Sequence, residues 1–313
     1  MSSQLLSGHP LKISQIPEVQ GLAAYIQKFP KKVIHSKVYR NPETWRNKKV
    51  LVIGNSASGH DITQDLLKTA KLPVLLSRRS KSRWEGSTPP TGIAWKPIIT
   101  EFRATGTIVF EDGTFLEPNE VDTVIYSTGY RPSYPFWNGK INGQKIWDYE
   151  KNKLHNSYLH TFFYDFPTLA IVGLPRVLTF RSFEYQAIAL ARLWSKRNAR
   201  SLPPIEEQQK WEKVRGEEGR KKFHDIEWET GETLAWLEEL YGIAGLGKLQ
   251  GDGRNPPRLD EDVRWAIEHL RKYPEPDRGD SELAVDEVVL GTEHEWVAVE
   301  RPAEERKDLL HFI

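Results

Sequence analysis

The sequence predicts an α/β fold built on a parallel sheet, and three observations between Lys48 and Arg79 predict it. Val50, Leu51, Val52 and Ile53 form a short, continuous apolar run rich in β-branched residues, the pattern of a strand buried on both faces. Gly54 breaks that run, and Asp61–Lys71 then reads as a helix with Ile62, Leu66 and Leu67 on one stripe. Val74–Leu76 is a second buried strand. Strand, tight turn, helix and strand in this order open a nucleotide-binding parallel sheet.

The turn, Gly54-Asn55-Ser56-Ala57-Ser58-Gly59, matches G-x-G-x-x-G with Ser56 in the middle glycine's place. Gly54 permits the sharp turn, and Gly59 lets the helix pack close to the strand. Ser56 has a small side chain, so a pyrophosphate can approach the backbone N–H groups and positive dipole end of the helix. A P-loop is excluded, because His60 and Asp61 stand where it needs Lys and Ser or Thr. A βα turn that binds nothing would carry the same glycines; the strand before and the helix after favour a dinucleotide.

The second strand ends Ser77-Arg78-Arg79. An acidic residue here would hold the ribose 2′-hydroxyl of NAD, whereas two guanidiniums and a hydroxyl suit a 2′-phosphate. The residues therefore point to NADPH. A solvated basic run is the competing reading, since Lys81 and Arg83 follow. Val121–Tyr126 is another buried strand, and small residues at its carboxyl end, Ser127-Thr128-Gly129, suit close approach of a ligand or of another backbone segment. The candidate cofactor-binding residues are thus Gly54, Asn55, Ser56, Ser58, Gly59, His60, Ser77, Arg78, Arg79, Thr128 and Gly129.

The remaining elements follow in order. Residues 1–46 contain Pro10, Pro17, Pro30 and Pro42 and read as extended connections around a short helix near Gly21–Gln27, with a strand at Val33, Ile34 and Val38. His35 reads as a hydrogen-bonded residue near a strand end, because no second metal ligand stands at a suitable spacing. Residues 80–100 are polar and turn-rich. Thr107–Phe110 and Phe115 flank an Asp112-Gly113 hairpin turn. After Pro132 aromatic residues become dense, then Thr168–Gly173 reads as a buried strand and Phe183–Trp194 as a helix. His155 and His160 read as structural. Pro203–Tyr241 is charged and helical, with Trp211, Phe223, Trp228, Trp236 and Leu240 spaced for packing and the charges on a solvated face. A glycine-rich linker, Gly242–Pro257, precedes a last helix over 258–273 and a peripheral or partly disordered tail.

Composition bounds the function. The 313 residues carry 44 basic and 43 acidic side chains, a net charge of +1, which speaks against binding nucleic acid or a membrane surface through bulk charge. The chain has no cysteine, so disulfides, thiolate nucleophiles and cysteine-ligated metals are excluded, and a reducing, cytoplasmic location is expected. No apolar run approaches the roughly 18 residues of a membrane span. The N-terminus is too polar for a secretory signal.

Taken together, Phe29…His35…Tyr39, GNSASG, Ser127-Thr128-Gly129-Tyr130 and Leu169–Leu174 with a helix after it resemble, in that order, the flavin-containing monooxygenases of the dimethylaniline type. The family signature is F-x-G-x-x-x-H-x-x-x-Y or F, and Lys31 departs from it at the glycine. The resemblance implies a Rossmann-like NADPH-binding domain over 47–131, inserted in an FAD-binding α/β domain. Of that FAD domain, 1–46 would be linker and remnant and 132–245 the C-terminal part, with linker, helix and tail over 246–313. The family's N-terminal G-x-G-x-x-G for FAD and its Asn-bearing segment have no counterpart here, so the chain is expected to be truncated at its N-terminus. Leu169–Gly173 and the start of the following helix, with Glu184 and Gln186, would then be the flavin-facing elements.

The implied activity is NADPH- and FAD-dependent oxygenation, by O2, of a soft nucleophile such as an amine nitrogen or thioether sulfur, through a flavin C4a-hydroperoxide. The cofactors carry that chemistry, so no catalytic acid–base pair is named. The competing reading, from another class, is a non-catalytic NADPH-binding or interaction protein of the same fold.

Overall fold

The computed structural model describes residues 4–6, 13–82, 85–175, 179–217, 223–226, 231–245, 260–271, 288–290 and 296–298. In chain order the elements begin with β1 (Gln4–Leu6), β2 (Ile13–Ser14), α1 (Leu22–Lys28), β3 (Val33–His35) and β4 (Val50–Ile53). Next come α2 (Ala57–Leu66), β5 (Val74–Ser77), β6 (Ile93–Lys96), β7 (Ile99–Phe102), β8 (Ile108–Phe110), β9 (Phe115–Leu116) and β10 (Thr123–Tyr126). Short strands β11 (Tyr130–Arg131), β12 (Trp147–Asp148), β13 (Lys153–Leu154), β14 (Ser157–Tyr158), β15 (Phe162–Phe163) and β16 (Leu169–Ile171) lead to helices α3 (Thr179–Ser195), α4 (Ile205–Glu217), α5 (Glu232–Ile243) and α6 (Glu261–His269).

Five strands form a wholly parallel sheet in the order β3–β10–β4–β5–β6. Sequence order reverses between β4 and β10: the chain runs outward through β5 and β6 on one side and returns on the other. Carboxyl ends of parallel strands diverge at such a reversal and leave a crevice. The apolar run Val50–Ile53 is buried on both faces, as its composition predicts. Val50 and Val52 face α2 with Ile62, Leu66, Val74 and Leu76. Leu51 faces the opposite core of Tyr25, Phe102, Ile108, Val124 and Tyr126. The return path carries the antiparallel sheet β7–β8–β9, with the expected Asp112-Gly113 turn between its last two strands.

A second sheet, β1–β16–β15–β14, pairs the N-terminal strand in parallel with Leu169–Ile171. The dense aromatic residues divide between two buried clusters: Tyr158, Phe162, Tyr185, Leu190, Trp236 and Leu237 pack into one, and Tyr134, Trp147 and Phe163 into another. The chain passes between the two sheets twice, and β2 and β11 run antiparallel at that crossing, with Ser14 opposite Tyr130.

The structure departs from the sequence expectations in several places. Helix α2 starts at Ala57, inside the glycine motif, not at Asp61. The stretch 80–100 contributes the edge strand β6 and the start of β7. Their compositions, IAWK and ITEF, alternate too little to declare themselves. Strand β3 forms where Val33 and Ile34 predicted one and closes the far edge of the five-stranded sheet, but it ends at His35, and Val38 lies in the short 3-10 turn that follows. Helix α3 begins at Thr179, four residues before Phe183. The charged stretch 203–241 is not uniformly solvated, since Gln208, Glu212 and Arg215 of α4 are buried. The last helix ends at His269, and Leu270–Arg271 then joins Val288–Leu290 and Trp296–Ala298 in a three-stranded antiparallel ribbon. Most of the glycine-rich linker, Trp228, Arg83 and the remaining tail lie outside the described residues. Among the described residues no helix is long and apolar enough to cross a membrane, and no cluster of His, Asp and Glu could hold a metal ion.

Candidate functional site

The glycine turn sits at the carboxyl end of β4, beside the sheet's reversal. Gly54 has φ +99°, and a Cβ there would stand 2.7 Å from the Ser127 carbonyl oxygen. A Cβ on Gly59 would stand 1.7 Å from the Gly54 carbonyl oxygen, so the first turn of α2 rests directly on the turn before it. Ser56 is the N-cap, with extended backbone and no side-chain capping bond. The helical ladder starts with His60 N donating to Ser56 O at 2.8 Å. The N–H groups of Ala57, Ser58 and Gly59 therefore have no intrahelical acceptor. With Ser56, Ala57 and Ser58 exposed, they form a cradle suited to an anion.

The end of β5 lies next to this cradle. Ser77 is buried and donates its hydroxyl to Pro97 O at 2.7 Å, so it braces the sheet instead of presenting a hydroxyl outward. Arg78 lays its guanidinium on the Trp95 indole, 3.5 Å from the ring centroid, and donates to Glu85 Oε2 at 3.0 Å. Arg79 is exposed. Asn55 of the turn donates to Ser80 O at 2.7 Å and to Glu85 Oε2 at 2.9 Å. The glycine turn and Arg78 are thus brought together through Glu85, while Arg79 stands exposed beside them in the chain. Glu85 was not anticipated, because a single acid in a polar stretch carries no pattern. His60, on α2, lines a small cavity with Glu85 and Trp95, and burial lowers its pKa.

On the other side of the crevice, Ser127 follows β10 and is buried. Thr128 donates its hydroxyl to Gln15 O, and Gln15 N donates to Gly129 O at 3.0 Å. His35 accepts from Lys37 N at Nδ1 (3.0 Å), so its proton is on Nε2, which donates to Gly129 O at 3.0 Å. Burial lowers the His35 pKa and keeps the ring in this neutral form. His35, Thr128 and Gly129 therefore fasten the β2–β11 crossing to the end of the sheet, the second of the two uses their small size and position allowed.

In the second sheet, Gln186 is wholly buried; it accepts from Gly173 N at 2.9 Å and donates to Thr161 Oγ1 at 2.7 Å. It thereby fixes the end of β16 against α3. Glu184 lies half-buried one turn into the same helix.

The family described as FMO-like, flavin-binding monooxygenase-like, matches residues 6–88 and 90–246. Flavin-containing monooxygenase FMO GS-OX4 of Arabidopsis thaliana is 31% identical over 273 residues, covering 84% of this chain and 54% of that protein. Flavin-containing monooxygenase iboF of Amanita muscaria is 27% identical over 219 residues, covering 61% of this chain and 40% of that protein. The solved S-allyl-L-cysteine S-oxygenase from Allium sativum is 26% identical with a TM-score of 0.59, over 77% of this chain and 53% of that one. Tmm from Pelagibacter sp. strain HTCC7211, at 21% identity and TM-score 0.61, shares the fold over 77% of this chain and 51% of that one. The chain spans about half the length of the curated relatives it matches.

Proposed function

Because the chain belongs to the flavin-binding monooxygenase-like family, we propose that its five-stranded unit binds NADPH and that the protein acts in flavin-dependent oxygenation of a soft nucleophile, an amine nitrogen or a thioether sulfur. One observation carries the NADPH reading: an uncapped helix N-terminus on a glycine turn no side chain could enter, with Arg78 and Arg79 at the end of the next strand. The residues fit the coenzyme. Backbone N–H groups of Ala57–Gly59 meet the pyrophosphate, Gly54 and Ser56 allow its approach, and an arginine meets the 2′-phosphate. In this proposal residues 47–131 with β3 form the nucleotide domain and 132–245 with β1 the flavin side, where Gln186 holds the Gly173 backbone in place.

When bound, the flavin supplies oxygen activation and the nicotinamide supplies hydride. The chain's own part is to bind and orient both rings and to keep water out. The sulfur version of the substrate draws support from the 26%-identical S-oxygenase. The test is to titrate the protein with NADPH and with NADH, following tryptophan fluorescence, then to measure NADPH-dependent oxygen uptake with added FAD and a thioether or tertiary amine. Tighter binding of NADPH and substrate-dependent uptake are expected. Equal affinity for both coenzymes would overturn the 2′-phosphate reading, and absence of uptake in a protein that binds both cofactors would overturn the oxygenase reading.

A further inference from the structure

Glu85 places a buried negative charge inside a site that is otherwise basic. It is 5% exposed. Its Oε2 accepts three hydrogen bonds, from Asn55 Nδ2 at 2.9 Å, Arg78 NH1 at 3.0 Å and Ser82 N at 2.9 Å. Its Oε1 is buried with no hydrogen-bond partner among the described residues. One oxygen thus reaches both the glycine turn and the arginine at the end of β5. The Arg78 side chain is 23% exposed and that of Glu85 6%, so this ion pair is shielded from solvent.

That geometry decides what Arg78 can offer a second anion. A guanidinium paired with a buried carboxylate carries little net field outward. A phosphate on the remaining N–H groups of Arg78 would lie about two hydrogen-bond lengths from the Glu85 charge, in a setting where water screens poorly. The pair sums to zero, and the exposed Arg79 supplies the net charge. We propose that Glu85 is a specificity-determining residue: it cancels Arg78 toward the 2′-phosphate, so that discrimination between NADPH and NADH rests on Arg79 and is held below what two arginines would give. The inference rests on the dinucleotide reading above. It also revises the sequence expectation that Ser77, Arg78 and Arg79 act together, since Ser77 bonds to Pro97 O and Arg78 is neutralised.

The experiment compares two probes, adenosine 2′,5′-bisphosphate and AMP, by calorimetric titration of the full chain. Glu85→Gln keeps the shape and an accepting oxygen while removing the charge; because it leaves the Arg78 guanidinium without its counter-charge, it is expected to cost some stability, which the folding check at each step monitors. It should tighten the bisphosphate about tenfold and leave AMP within about twofold. Arg79→Ala should weaken the bisphosphate about tenfold or more. The double variant Arg78→Met/Glu85→Gln removes both charges of the pair together and should stay within about threefold of wild type for the bisphosphate. Circular dichroism at each step confirms folding. If Glu85→Gln weakens the bisphosphate, or moves both probes equally, Glu85 is a structural support and the proposal is overturned. If the wild type binds neither probe, the dinucleotide reading itself fails and this inference with it, an outcome distinct from the other two.

Discussion

At the scale of single residues, the site depends on atoms that are missing. Gly59 has no space for a Cβ, because the Gly54 carbonyl oxygen would be 1.7 Å away. The obstacle is backbone, which cannot rotate aside as a side chain would, so α2 must lift from β4 when any larger residue stands there. Gly59→Ala is expected to lower stability by about 1–3 kcal/mol, the usual range for overpacking, and to weaken NADPH binding along with it. Urea denaturation and coenzyme titration of the same preparation test this; an unchanged midpoint with unchanged affinity would contradict the packing described. The reason for Gly59 was legible from its spacing. The reason for Glu85 was not: its partner Asn55 is 30 residues away in the chain, and only the fold brings them to 2.9 Å.

Among elements, β4 is the one on which both cores meet. Val50, Leu51 and Val52 are each fully buried, two facing α2 and one facing Tyr25 and Phe102. Leu51→Ala is therefore expected to destabilise the protein by about 2–5 kcal/mol, since the rigid sheet cannot collapse into the cavity. A denaturant midpoint within error of wild type would refute that. Strands of this kind were readable because burial on both faces leaves an unbroken apolar run, as at Val50–Ile53, Val74–Leu76 and Val124–Tyr126. The edge strand β6 was not, because half its surface is exposed; Ile93 is buried while Ala94, Trp95 and Lys96 are only partly so. Helix α4 misled for another reason. Its charges find partners from distant elements: Glu212 takes Lys153 at 2.5 Å and Tyr164 at 2.6 Å, and Arg215 pairs with Glu232 and the Phe223 carbonyl. Hydropathy along the helix cannot register a buried charge whose counter-charge lies elsewhere in the chain.

For the molecule as a whole, buried histidines make stability depend on pH. The strongest case is His224, enclosed between β13 and the aromatic residues Trp147 and Phe223. Leu154 N donates to its Nε2 at 2.9 Å, so that nitrogen is an acceptor and the proton sits on Nδ1, which donates to His160 Nδ1 at 2.9 Å. A second proton on His224 would set one N–H against another. Burial, then the charges of Arg215 and Lys153, hold its pKa well below the usual histidine value. His35 and His60 are lowered in the same direction, chiefly by burial.

The sign follows from proton counting. Below about pH 6.5 the unfolded chain protonates these rings while the folded chain does not, so the unfolded state binds more protons and gains on the native one. Their contribution to stability is intact above that pH. It is lost as pH falls below it, by up to about 1.4 kcal/mol per pH unit for each ring still neutral in the fold. His224→Gln can accept from Leu154 N and donate to His160 without titrating. It should be less stable than wild type at pH 7.5, because the amide fills the aromatic pocket less well, yet lose less stability between pH 7.5 and 5.5 (both values chosen to bracket an ordinary histidine pKa of about 6.5). Urea midpoints at the two pH values for wild type, His224→Gln and, as a reference ring, His35→Gln measure the difference. Parallel pH profiles for wild type and His224→Gln would mean that His224 takes up its proton in the folded state after all, and that the Leu154–His224–His160 chain is not the neutral relay its hydrogen bonds describe.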